Sequence, residues 1–146
     1  LVLLLAVATA GAEDFTVRFE LLPQRGLIVL QGTVNDKPAT MILDTGTELT
    51  MVDREFLKLD EKKFPKEVRK AREEWAGVWT GRRMKVKELT IGRHQFLEKE
   101  IWVVDLGPTS RTLDRKIDAI VGMDALRKFD EVTLSLKKRE LRLIKE

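Results

Sequence analysis

Apolar and polar residues alternate along most of this chain, with a period of two rather than three or four. Phe15-Thr16-Val17-Arg18-Phe19-Glu20-Leu21 switches character at nearly every step, the mark of a half-buried strand. Leu27-Ile28-Val29-Leu30 is a continuous apolar strand that runs on into Gly32-Thr33-Val34. Asn35-Asp36-Lys37-Pro38 has the composition of a hairpin turn, and Ala39 to Leu43 is the return strand. Further on, Lys85 to Ile91 alternates, Gly92-Arg93 turns the chain into Phe96-Leu97, and Ile101-Trp102-Val103-Val104 reads as a buried strand. Ile117 to Gly122 is another apolar strand, ending in glycine. Val132, Leu134 and Leu136 alternate, Lys137-Lys138-Arg139-Glu140 turns, and Leu141 and Leu143 alternate back as a terminal hairpin.

Helical patterning is sparse. Asp53 to Leu57 reads as a short helix capped by Asp53. From Asp60 to Trp75, the residues Val68, Ala71, Arg72 and Trp75 recur at helical spacing in a densely charged background. That predicts an amphipathic surface helix, broken by Gly77 and Gly81. Met123 to Phe129 predicts a short helix with Leu126 and Phe129 inward, and Gly107-Pro108 opens a polar loop that runs to Arg115. The expected fold is mostly β: a small closed antiparallel barrel with two or three short helices.

Composition narrows the function. The 146 residues suit one domain, and 43% hydrophobic content supports a core without metal or disulfides. Lys and Arg number 27 against 24 Asp and Glu, a net charge of +3 with the signs mixed along the chain. No basic tail or stripe marks a nucleic-acid partner. The absence of cysteine removes disulfides, thiolate metal sites and cysteine nucleophiles. With His94 as the single histidine, multi-histidine metal sites within one chain are excluded too. Its setting, Gly92-Arg93-His94-Gln95, predicts an exposed loop histidine.

The first residues, LVLLLAVATAGA, are uncharged and end in small residues just before Glu13-Asp14. They read as the end of a secretory signal peptide over 1–12, with the folded domain at 13–146. The expected location is periplasmic or extracellular. A stable membrane span would need about 20 apolar residues, so anchoring through the N-terminus requires an uncleaved signal with more apolar sequence upstream.

The chemistry concentrates at Asp44-Thr45-Gly46-Thr47. The apolar run Met41-Ile42-Leu43 delivers Asp44 from a buried strand into a tight turn. A carboxylate there is costly unless paired, hydrogen-bonded or used. Downstream, Ile120-Val121-Gly122 leads into Met123-Asp124-Ala125-Leu126-Arg127-Lys128-Phe129. Two such elements in this order, separated by hairpin-rich sequence, resemble the single-domain, retropepsin-like aspartyl proteases, particularly the exported bacterial kind. The resemblance spans roughly Leu27 to Leu143.

That resemblance implies an aspartic endopeptidase acting as a homodimer on peptide or protein substrates, and it requires neither metal nor cofactor. Two Asp44 side chains would meet at the symmetry axis, share one proton and activate a water. It gives Thr45 the role of tying the two loops together. Gly46 donates its amide to the carboxylate, and Thr47 tunes the outer oxygen of Asp44. Ile120, Val121 and Gly122 support the loop from below, while Asp118 and Asp124 read as turn and helix-cap residues. A substrate-covering flap would fall at Gly77, Trp79 and Gly81, where the glycines supply mobility and Trp75 and Trp79 either cover a peptide or pack in the core. Two other readings stand beside it: a noncatalytic peptide-binding module on the same fold, and a monomeric ligand-binding barrel.

Overall fold

The alternating segments become eleven strands and two short helices in a computed structural model that describes residues 11–59, 69–73 and 77–146. Strand β1 (Glu13–Arg18) and strand β2 (Glu20–Leu22) divide the first alternating run at Phe19, which is buried. The single strand expected there thus serves two sheets. β1 pairs with the last strand, β11 (Glu140–Lys145), and β2 pairs with β3 (Leu27–Val34). A hairpin joins β3 to β4 (Lys37–Leu43) through Asn35 at φ 49° and Asp36 at φ 63°. Both angles are left-handed, and Asn and Asp tolerate that region better than most residues.

The remaining elements are β5 (Met51–Asp53), β6 (Arg69–Glu73), β7 (Gly77–Ile91), β8 (His94–Val104), α1 (Gly107–Leu113), β9 (Ala119–Val121), α2 (Met123–Leu126) and β10 (Glu131–Ser135). Eight strands run in the order β2-β3-β4-β9-β5-β8-β7-β6, and β3 also pairs with β7 at Gly32–Val34. That last pairing closes the strands from β3 to β7 into a ring. It depends on Gly32, whose missing Cβ would lie 2.2 Å from the carbonyl oxygen of Thr90. A three-stranded sheet, β1-β11-β10, packs beside the ring.

Pairing is antiparallel except at two places: β4 with β9, and β5 with β8. The segments that pair here are buried on both faces and, apart from Asp53, apolar. Met41, Leu43, Val52, Val103, Ala119 and Val121 face the main core, which also takes Leu141 and Leu143 from the terminal sheet. Ile42, Met51, Trp102, Val104 and Ile120 face a second cluster, closed by Leu106, Ile117 and Leu113 around α1.

Several local expectations change. No helix starts at Asp53: the residue ends β5, and its buried carboxylate accepts the amide of Leu106 and the ammonium of Lys116 instead of capping a helix. The helix expected over 60–75 falls partly on residues 60–68 and 74–76, which lie outside the described ones. Its described part, 69–73, is strand β6, laddered antiparallel to Gly77–Gly81. Pairing with β7 overrides the helical spacing of Ala71 and Arg72. The polar segment after Gly107 forms α1, with Pro108 in its first turn and Asp114 ending it at φ 48°. The leader expected over 1–12 lies outside the described residues up to position 10, and Gly11 and Ala12 are exposed ahead of β1. Among the described residues no helix is long and apolar enough to cross a membrane.

His94 is the clearest departure. It is 9% exposed and meets Phe15, Phe96 and Phe129 edge-to-face at centroid distances of 5.3, 4.5 and 4.7 Å. Its ring joins β1, β8 and the segment after α2 in one aromatic cluster. Alternation puts it inward: His94 and Phe96 share a face of β8, so the turn really comprises Gly92 and Arg93. Burial, aided by the charge of Lys145 and opposed by that of Glu13, holds the imidazole below its ordinary pKa. The folded chain thus favours neutral His94, and the unfolded chain takes up the proton first as pH falls. Stability from this site is full above the ordinary imidazole range and is lost as pH drops toward the lowered folded value. Urea denaturation of wild type and His94→Phe between pH 7.5 and 5 should show the wild type losing stability more steeply. Parallel profiles would refute the assignment.

Candidate active site

Asp44 follows the last residue of β4. Its amide donates to Val121 O at 3.0 Å, which continues the β4–β9 ladder one residue past the strand. The chain then turns. Gly46 N–H donates to Asp44 Oδ1 at 2.8 Å, and Thr47 N–H reaches Asp44 O at 3.4 Å. Asp44 is half-buried, while Thr45 and Gly46 at the crown of the loop are exposed. Thr47 is buried, and its hydroxyl points to Leu49 O at 3.5 Å rather than to the Asp44 carboxylate. Among the described residues no cation pairs with Asp44, and its carboxylate has the one donor from Gly46.

The parallel register sets Leu43 beside Val121, so the Asp44 loop and Gly122 emerge at the same end of adjacent strands. Ile120 and Val121 are buried on opposite faces, one in each apolar cluster. Gly122 lies against the loop backbone. A Cβ there would stand 2.7 Å from Leu49 C and 2.8 Å from Leu49 O. With that close approach, Met123 N–H donates to Thr47 O at 2.8 Å and Asp124 N–H to Glu48 O at 3.0 Å. Outside them, Arg127 grips Glu48 with two bonds of 2.8 and 2.9 Å.

A side-chain network adds a second tie. Asp124 lies in the first turn of α2, but its carboxylate turns away from the helix amides. Oδ1 accepts both Thr50 N–H (2.9 Å) and Thr50 Oγ1–H (2.6 Å), and Oδ2 accepts Lys99 Nζ. Thr50 Oγ1 in turn accepts Gly122 N–H at 3.2 Å. Sequence reasoning had not singled out Thr50 or Lys99. Thr50 did carry a signal, as a lone hydroxyl among Leu49, Met51 and Val52. Lys99, inside Glu98-Lys99-Glu100, carried none. Asp118 is structural: its carboxylate takes Thr40 N–H at 2.9 Å where β4 and β9 begin to pair.

The three flap candidates share one hairpin arm. Gly77, Trp79 and Gly81 lie on β7, where they pair with Glu73, Ala71 and Arg69 of β6. The hairpin's other arm is β6, and the residues that join the two arms, 74–76, lie outside the described ones. The side chain of Trp79 lies outside the described residues, as does Trp75. Gly81 is no hinge, because its backbone is laddered on both sides, to β6 and β8. A Cβ would press on Val104 Cγ1 at 2.8 Å and Val103 O at 2.9 Å. No group of three or more His, Cys, Asp or Glu is placed to hold a metal ion among the described residues. The structure thus brings together Asp44, Gly46, Thr47, Val121 and Gly122 and sets the three flap candidates on the β6–β7 hairpin. Gly122→Ala should cost about 1–3 kcal/mol by overpacking against the Leu49 backbone. Urea unfolding measures it, and an unchanged midpoint would contradict the close approach.

Solved structures share this architecture. A retropepsin-like aspartic protease from Rickettsia conorii superposes with a TM-score of 0.63 at 14% identity, covering 92% of each chain. The retroviral protease-like domain of Ddi1 from Leishmania major gives a TM-score of 0.50 at 15% identity, covering 80% of this chain and 87% of its own. No curated protein matches the sequence. The sequence model of the aspartyl protease family matches residues 30–125, from β3 through the start of α2, with both the Asp44 loop and Gly122 inside the match. The fold is retropepsin-like, and the chain belongs to the aspartyl protease family.

Proposed function

We propose that the chain is an aspartic endopeptidase that works as a homodimer, with Asp44 of each subunit forming the catalytic pair. One observation carries this reading: Asp44 differs from every other partly buried carboxylate around it. Asp53 holds an amide and an ammonium, Asp118 holds an amide, and Asp124 holds two donors from Thr50 and one from Lys99. Among the described residues, Asp44 has only the amide two residues along. A half-buried carboxylate left this open is available for chemistry.

A single carboxyl cannot be both base and acid to one water. Two placed close together cannot both ionise, so they share one proton and titrate as a pair. The ionised member takes a proton from the attacking water, and the protonated member polarises the scissile carbonyl. In this mechanism the Gly46 amide orients the carboxylate, and the exposed Thr45 at the crown is free to tie one loop to the other. An extended peptide with bulky apolar side chains at the cut would enter as an added strand. Export, as the N-terminal sequence suggests, is part of the same proposal.

The terminal sheet supports a second copy. β10 is one of its two edge strands, paired among the described residues with β11 alone. Val132 and Leu134 sit in register with Leu143 and Leu141, on the side that elsewhere enters the core. Yet they remain 40% and 42% exposed. Apolar side chains on an open edge strand normally need cover.

Digestion of a peptide library from acid to neutral pH tests the hydrolytic claim. Wild type should cleave in a pepstatin-sensitive way, and Asp44→Asn should lose on the order of 10³-fold or more in rate. Peptide binding without cleavage by wild type would favour the noncatalytic module instead. Sedimentation tests the assembly: wild type should dimerise with rising concentration, and Leu134→Lys should weaken that dimer and lower activity at fixed protein concentration. Full turnover by a strictly monomeric subunit would overturn the pairing of two Asp44 residues.

A further inference from the structure

Lys99 lies on β8, outside the two motifs and away from Asp44, yet it ends a chain of bonds that leads to the active-site loop. Its side chain is 12% exposed and its partner Asp124 22%, so the pair is largely withdrawn from water. The ammonium occupies Asp124 Oδ2 and leaves Oδ1 to receive both donors of Thr50. The Thr50 hydroxyl has a single proton. Because it is committed to Asp124, its lone pairs face the Gly122 amide, which donates to it. Gly122 is also the residue packed on the loop backbone at Leu49, one step after the Val121 carbonyl that holds the Asp44 amide.

We propose that Lys99 is a positioning residue for the Asp44 loop, acting through Asp124 and Thr50. The inference rests on the hydrolytic reading of Asp44. Without the ammonium, Asp124 is left as a largely buried carboxylate with an open oxygen. It must then protonate or rotate toward water. Either response loosens its hold on the Thr50 hydroxyl, which is then free to turn its proton away from Asp124. The Gly122 amide loses its defined acceptor, and the strand end that fixes Asp44 gains play.

The backbone ladder of β8 does not need this ammonium: Lys99 pairs with Val86 through main-chain groups. Its methylene stem packs independently of its charge. Lys99→Met therefore removes the cation and keeps most of the stem, whereas Lys99→Arg keeps the cation in another shape.

The test uses the full chain with both variants and two readouts. In peptide cleavage, Lys99→Met should lower kcat about tenfold or more, as a small misplacement of a catalytic group does. KM should stay unchanged, and Lys99→Arg should recover most of the loss. In amide hydrogen exchange, residues 44–50 should exchange faster in Lys99→Met while β10 and β11 keep wild-type protection. An unchanged kcat in Lys99→Met overturns the proposal, as does Lys99→Arg failing to recover it. Faster exchange spread evenly over the chain, or a variant that does not fold, also overturns it by assigning Lys99 to general stability. If wild type itself cleaves nothing, the hydrolytic reading fails, and hydrogen exchange alone decides whether Lys99 holds the loop.

Discussion

The parallel pairing of β4 with β9 is the constraint on which the rest of the structure depends. These strands are far apart in sequence and both short, yet their register sets Leu43 beside Val121. An antiparallel pair would send the two following segments to opposite ends of the sheet. A parallel pair sends them to the same end, so the Asp44 loop and the Gly122 turn emerge together. Parallel neighbours require a crossover connection, and here that connection holds most of the remaining ring, β5 through β8, with α1. The site is assembled from segments that become adjacent only once the ring closes.

Closure explains where small residues are required. At Gly32 the β3–β7 contact brings backbone to within 2.2 Å of where a Cβ would be, and at Gly122 the turn lies against Leu49 at 2.7 Å. Both contacts are with main chain, which cannot move aside as a flexible side chain does. Burial on both faces then locks the strands between these points. Ile42 and Ile120 turn to one apolar cluster while Met41, Leu43, Ala119 and Val121 turn to the other. A slip of one residue in β4 or β9 would exchange the two sets and move Asp44 off the end of its strand.

The parts legible in the sequence were those governed by local patterning. Period-two alternation located the two arms around Gly92 and the terminal hairpin, an unbroken apolar run and turn chemistry located β3 and β4, and the three apolar residues before Asp44 marked a strand delivering a carboxylate. Less was legible wherever a partner distant in sequence decides the outcome. A pairing close in sequence was missed as well: Ala71 and Arg72 have helical spacing, yet they ladder with the segment just beyond them in β7. His94 looked like a turn residue until Phe15 and Phe129, from opposite ends of the chain, enclosed it. Asp53 looked like a cap because the sequence does not reveal that Lys116 and Leu106 return to it. The Asp44 loop was readable as a motif, whereas the network of Thr50, Asp124 and Lys99 exists only in three dimensions.

That network shows how the structural carboxylates of this chain differ from Asp44. Burying a charge is unfavourable, and folding offsets it with donors. Asp53 is 1% exposed and takes its donors from two segments far along the chain. Asp118 bridges β4 to the segment entering β9, and Asp124 bridges β5's approach to β8. In each case the carboxylate joins elements, so its removal would be felt in the fold. Among the described residues Asp44 joins no second element through its carboxylate, because its donor belongs to its own turn. The turn orients the carboxylate, and no bond among the described residues ties it to another element, so it contributes little to stability that a neutral residue could not.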